Sequence, residues 1–347
     1  MFYHERARCG LLLMNQPVDP LASNTHPTEP QPPTPGTNYD EAATLSSQES
    51  LLERIFKDAH GVRSGWRLFL FFALTFVIAR MLGWLGQSLF PDTGAGSRHL
   101  WEDFYGETIS LAGALISTMI LSRIEGRRFG AYGLPQSHAF GRLFWIGAVW
   151  GLAWITALLL LMHSAHVFDF GSIALHGKRV LRFAAFWAAN FLAVALFEEA
   201  VFRGYFQFAL SERVGFWPTA VLGSAFFGGV HLFNKLETPI GALGAGLIGL
   251  FLCLTLRRTG SLWFAVGFHA AWDWGETFLY GVPDSGTTAP GHLLSPTVHG
   301  NYWLTGGPVG PEASVLLLII VAAMWVAFDR RYRVARYGPQ PPPDHHV

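Results

Sequence analysis

The sequence predicts an all-α polytopic membrane protein of about eight transmembrane helices, with its N- and C-termini cytoplasmic. Three observations predict it. Of 347 residues, 51% are hydrophobic and only 14% charged, and the mean hydropathy is +0.30, too apolar for a chain that must face water on all sides. Apolar windows near 68–90, 106–122, 143–163, 183–210, 217–235, 239–256, 261–281 and 313–328 approach the ~20 residues needed to cross the hydrocarbon core. With the N-terminus inside, fifteen of the 24 Lys and Arg residues fall on the inner side and five on the outer, the asymmetry expected of short cytoplasmic loops.

Each element follows in order. Residues 1–50 form a cytoplasmic tail expected to be disordered, with seven prolines between Pro17 and Pro35 among Ser, Thr, Asn and Gln, a composition that buries too little apolar surface to fold. Leu51 to Lys57 places Leu51, Leu52, Ile55 and Phe56 on one face and reads equally as a surface-lying amphipathic helix or as a juxtamembrane linker. The first membrane helices occupy 51–182, and a functional core occupies 183–283. Within that core, Arg258-Thr-Gly-Ser261 supplies C-cap and N-cap residues for a tight turn between spans. Residues 284–311, rich in Gly, Pro, Thr and Ser, form an extracytoplasmic loop, and 312–347 hold the last span and a Pro-rich C-terminal tail with His345 and His346.

Composition also excludes functions. A net charge of zero gives no footprint for nucleic acid, and the basic clusters read as membrane flanks. Cys9 and Cys253 lie in a tail and in a span, so neither a disulfide nor a thiolate metal cluster is expected. Gly244-Ala-Gly246-Leu-Ile-Gly249 matches a dinucleotide fingerprint by letter, but it lies inside a span with no preceding strand. Close helix packing explains it better.

Charges inside spans carry the functional signal. The run Phe191-Leu-Ala-Val-Ala-Leu-Phe-Glu-Glu-Ala-Val-Phe-Arg203 holds Glu198, Glu199 and Arg203, the fifth window holds His231, and the seventh holds His269 and Asp273. Glu199 and Arg203 are four residues apart, on one helix face, and are expected to pair; Glu198 lies about 100° away, without that local partner. Counted from the inner turns at about 1.5 Å per residue, Glu198, His231 and His269 lie roughly 12–21 Å into the bilayer. A carboxylate and imidazoles at one depth have the parts to activate water against a peptide bond. Glu198, His231 and His269 also form a donor set of the kind hydrolytic zinc uses. A proton or ion path of a transporter is a further reading of buried charges, although no second copy of the Glu-Glu-x-x-x-Arg pattern accompanies it.

Glu198-Glu199-x-x-x-Arg203, Phe227-x-x-x-His231 and His269-x-x-x-Asp273, in this order, resemble the CAAX protease and bacteriocin-processing (CPBP) family of intramembrane endopeptidases. The resemblance covers about 100 residues, from Trp187 to Val282. It implies that Glu198 activates the hydrolytic water with His231 assisting, that Glu199 and Arg203 support the site, and that His269 and Asp273 stabilise the oxyanion. It implies no required cofactor, zinc being the alternative through Glu198, His231 and His269. Many members carry Asn where this chain has Asp273, whose negative charge would repel an oxyanion, so that here it orients His269 or stays protonated. The expected partners are a peptide or membrane-protein substrate, lipidated in some members, and the bilayer of the cytoplasmic membrane. A non-catalytic immunity or scaffold factor is the remaining alternative within the resemblance.

Overall fold

A computed structural model describes residues 57–58, 61–89 and 98–337 and is 73% helical. The Pro-rich tail, residues 51–56 of the surface segment and the C-terminal tail beyond Tyr337 lie outside the described residues. Lys57 belongs to a two-residue strand, β1 (Lys57–Asp58), paired with β2 (Gly61–Val62).

The helices are α1 (Ser64–Leu89), α2 (Arg98–Ile124), α3 (Arg142–Ser164), α4 (Lys178–Glu198), α5 (Gln207–Val214), α6 (Phe216–His231), α7 (Pro239–Thr259), α8 (Trp263–Trp274), the one-turn α9 (Tyr302–Thr305) and α10 (Leu316–Arg331). Among the described residues, five segments are long and apolar enough to cross a bilayer: Ser64–Ser88, Trp101–Ile124, Arg142–Ser164, Lys178–Val214 and Pro239–Thr259. The other three predicted spans fall on shorter elements. Helices α6 and α10 have 16 residues each, about 24 Å of rise, against a hydrocarbon core of about 30 Å. Helix α8 has 12 residues and continues as a π-helical turn, Gly275–Tyr280.

Helix ends follow their local chemistry. Thr238 caps α7 by accepting from Gly241 N at 3.2 Å, with Pro239 at the first helical position, where its missing N–H costs nothing. Gly260, at φ 71°, ends α7 in the left-handed region, which favours glycine. Ser261 Oγ then accepts from Trp263 N at 3.3 Å to start α8, so the tight turn forms as the sequence indicates.

Two packing features hold the helices around the core. Helices α3 and α8 meet along a glycine seam. A Cβ at Gly147 or Gly151 would stand 2.1 Å from the carbonyl oxygen of Phe264 or Phe268, and one at Gly267 would stand 2.0 Å from that of Phe144. Backbones that close exclude every larger residue. Outward, Phe69, Phe76, Met81 and Trp84 of α1 and Trp145 and Val149 of α3 remain exposed, large apolar surface of the kind that faces lipid in an integral membrane protein.

At one end of the bundle the polar groups join. Arg67 at the start of α1 binds Glu125 after α2 (Nη2 to Oε2, 2.6 Å) and Glu212 in α5 (2.6 Å), and Arg127 also binds Glu212 at 2.6 Å. Tyr132 and Tyr205 donate to Glu125 at 2.6 and 2.5 Å. Burial first, and the Glu125 carboxylate next, hold the Tyr132 phenol above its ordinary range, so it stays a donor. Arg258 pairs with Asp329 near the end of α10, and Arg257 donates to the carbonyl of Tyr337. Beyond the other end of α3, strand β3 (Phe168–Ile173) pairs antiparallel with β4 (Leu294–Val298). The segment 284–311 is therefore partly ordered by a strand that its Gly, Pro and Ser content does not announce.

Candidate active site

The helix carrying the two glutamates changes pitch where they stand. Helix α4 ends at Glu198, Glu199–Phe206 is π-helical, and α5 resumes at Gln207. Such widened turns recur at functional sites. Glu199 is fully buried (0%), whereas Glu198 keeps 22% of its side-chain surface open. Of the two, Glu198 is the one that water can reach.

His269 of α8 lies between them. Its Nδ1 donates to Glu199 Oε1 at 3.0 Å, and its Nε2 stands 3.4 Å from Glu198 Oε2 and 3.5 Å from Asp273 Oδ2. The sequence gives Glu198 and Glu199 separate surroundings about 100° apart. In the structure that separation holds, and the His269 imidazole lies in the angle between the two side chains, meeting each with a different nitrogen. The expected pair is present: Arg203 Nη1 donates to Glu199 Oε1 at 3.0 Å, both side chains buried. Glu199 Oε1 thus accepts from both Arg203 and His269, which fixes the imidazole at the atom facing away from Glu198. Glu199 Oε2 and Arg203 Nη2 have no hydrogen-bond partner among the described residues.

Phe227 connects His231 to this group. The Arg203 guanidinium sits over the Phe227 ring at 4.1 Å, and the Phe227 centroid is 4.6 Å from that of His231 and 6.4 Å from that of His269. A cation over an aromatic face in a dry setting stabilises by about 2 kcal/mol. His231 is the last residue of α6, and its Nδ1 bonds the carbonyl of Phe227 at 2.8 Å, leaving Nε2 for other partners. No carboxylate lies within ion-pair distance of His231 among the described residues. Contacts therefore join Glu198, Glu199, Arg203, His269 and Asp273 directly, and His231 through an aromatic ring.

Small residues make the approach of α6 and α7 possible. A Cβ on Gly228 would meet the Ala242 carbonyl oxygen at 2.2 Å, and one on Gly249 would meet Arg203 Nη2 at 2.3 Å, while Gly229 faces open space. The Gly244, Gly246 and Gly249 run therefore acts in packing, as its place in a span indicates. Gly249→Leu is expected to push the Arg203 guanidinium off Glu199 and to destabilise the protein by about 1–3 kcal/mol. Thermal unfolding in detergent checks this, and an unchanged melting temperature would mean that Arg203 does not depend on that space.

Four further carboxylates approach the site that the charge motifs do not single out. Glu107 of α2 is near enough to Glu198 for their charges to interact. Glu276 lies three residues after Asp273, and Asp284 and Glu312 flank the segment beyond it; Glu276 and Glu312 are buried. Glu276 was visible as a charge inside the seventh apolar window. The others come from loops and from a distant helix, and no spacing connects them. One oxygen each from Asp273, Glu276 and Asp284 lies within 4.8 Å of the others, a set distinct from the Glu198, His231 and His269 of the zinc expectation.

Residues 180–275 match a family model described as Type II CAAX prenyl endopeptidase Rce1-like. That is the CAAX protease family to which the three motifs point, and the matched segment contains all six of their charged residues. Comparison with curated proteins gives no match, and comparison with solved structures gives none either.

Proposed function

We propose that the protein is an intramembrane endopeptidase of the CAAX type in which Glu198 activates the hydrolytic water. One observation carries this reading: within the Rce1-like segment, a partly open glutamate and a fully buried one face the two nitrogens of a single imidazole. Glu198 takes a proton from water, and the resulting hydroxide adds to the scissile carbonyl carbon. The tetrahedral intermediate then collapses, the C–N bond breaks, and the proton held by Glu198 passes to the leaving nitrogen. His269, fixed by Glu199, offers Nε2 toward the reacting atoms; Asp273 orients that imidazole, and His231 assists from the far side of Phe227. Preorganised donors of this kind act strongly where water is excluded.

The same reading has eight crossings, with the basic end of the bundle in the cytoplasm, and the site opening to a peptide or membrane-protein substrate carried at the bilayer. A lipidated C-terminal peptide fits the description of the matching family. It needs no cofactor, whereas the zinc alternative would place the ion between Glu198, His231 and His269. Full-length protein, reconstituted in vesicles and given a panel of prenylated and unprenylated peptides, is expected to release cleaved product. Turnover is expected to persist in 1,10-phenanthroline, which strips zinc and leaves calcium and magnesium. Loss of turnover that zinc restores would transfer the mechanism to a metal, and absence of any cleavage across the panel would favour a scaffold or a carrier.

A further inference from the structure

A second set of carboxylates sits beside the site, and the proposed chemistry uses only one of them. Asp273 ends the His269 turn of α8, Glu276 follows on the π-helical turn, and Asp284 comes from the loop after it, with one oxygen from each within 4.8 Å of the others. Glu276 is completely buried, and neither of its carboxylate oxygens makes a well-formed hydrogen bond among the described residues; the Trp272 indole N–H, also without a well-formed bond, is the one donor near it there. Among the described residues, the side chain of Asp284 accepts only from Thr277 Oγ1, at 3.5 Å. Glu312 lies near Glu276 and accepts from Ser285 at 2.8 Å, adding a fourth negative group. No Lys or Arg pairs with these residues among the described ones. The cationic candidate that does approach, His269, stands 3.5 Å from Asp273 and already faces Glu198 and Glu199.

A buried carboxylate with neither a well-formed hydrogen bond nor a counter-charge is among the costliest arrangements a protein interior can hold. Three oxygen donors converging on one point match the preference of hard cations. Calcium takes six to eight oxygen ligands in a flexible shell and suits a cage of three protein carboxylates, whereas magnesium keeps most of its waters and is held by one or two. Zinc prefers nitrogen and sulfur donors, which this set lacks.

We propose that Asp273, Glu276 and Asp284 bind a divalent cation, calcium by preference. Bound there, the ion ties α8 to the loop that follows it and holds Asp273 beside His269. The proposal does not depend on peptide cleavage, because binding and stability report on it without turnover.

The test uses full-length protein without a histidine tag, purified in detergent and stripped with EDTA. Calorimetric titration with calcium chloride is expected to register about one ion per chain. At a free calcium concentration about 100 times the Kd, the melting temperature is expected to rise by about 5 °C. Glu276→Gln and Asp284→Asn are each expected to abolish both effects. Stripped Glu276→Gln is expected to melt at or above stripped wild type, since it lacks the uncompensated charge; this also shows that the variant folds. Absence of binding heat and of a melting shift with calcium, magnesium and manganese would overturn the proposal. So would calcium binding that both variants leave intact, or a stripped protein whose stability follows pH and ignores cations.

Discussion

Glu198→Gln is expected to lower peptide cleavage by about 10²–10⁴-fold while leaving the melting temperature of the protein within about a degree of wild type. The two halves of this expectation have separate causes. Glutamine keeps the volume of glutamate and can still meet His269 Nε2, 3.4 Å from the native carboxylate oxygen, but it accepts no proton from water. The partly open position of Glu198 means that no buried counter-charge is stranded by the change. Glu199→Gln differs on both counts. Its oxygen serves Arg203 and His269 together in a fully buried setting, so this variant is expected to lose stability as well as activity. Single-turnover cleavage by protein verified as folded, combined with melting curves, separates the pair. If Glu198→Gln turned over at the wild-type rate, the base would have to be sought elsewhere, with Glu107, a carboxylate on α2 whose charge interacts with that of Glu198, a candidate.

The membrane character and the pairing of Glu199 with Arg203 were legible in the sequence because each rests on a local rule. Apolar run length marks a span, and a four-residue interval marks a shared helix face. The same rule sets Glu198 about 100° from Glu199 and away from Arg203, and both residues keep α torsions; it does not reveal the imidazole that lies in the angle between them, and nothing in Glu-Ala-Val-Phe-Arg-Gly-Tyr-Phe announces a π-helical stretch. Phe227 was noted as the start of the His231 motif, but its place beneath the Arg203 guanidinium depends on how α6 crosses the bend after Glu198. Crossing geometry is set by packing, here by the absence of a Cβ at Gly228 and Gly249. The third carboxylate of the cation set was harder still. Asp284 approaches Asp273 only because the loop after the π-helical turn folds back over it, and loop paths leave little trace in residue order. The strand pair β3–β4 was hidden for a related reason: its partners lie more than 120 residues apart.

Arg203→Met is expected to destabilise the folded protein by about 3–5 kcal/mol, because it strands the Glu199 carboxylate in a fully buried position without its guanidinium. Methionine fills much of the same space and keeps a polarisable group against Phe227, now 4.1 Å from the guanidinium carbon, so the loss reads the charge more than the packing. The double variant Glu199→Gln/Arg203→Met removes both ionic partners and is expected to recover most of that stability, since replacing a whole buried pair is far cheaper than breaking one. Activity is not expected to return with it. His269 Nδ1 would face a neutral amide in place of the carboxylate oxygen 3.0 Å away, a weaker acceptor that also presents an NH₂ group, so the imidazole would be held less firmly with Nε2 between Glu198 and Asp273. Chemical denaturation of the two single variants and the double, followed by cleavage assays on those that fold, tests the whole argument. Should Arg203→Met unfold at the wild-type denaturant concentration, the buried pair would be stabilising nothing. Should the double variant regain cleavage, the anchoring of His269 by Glu199 would lose its place in the mechanism.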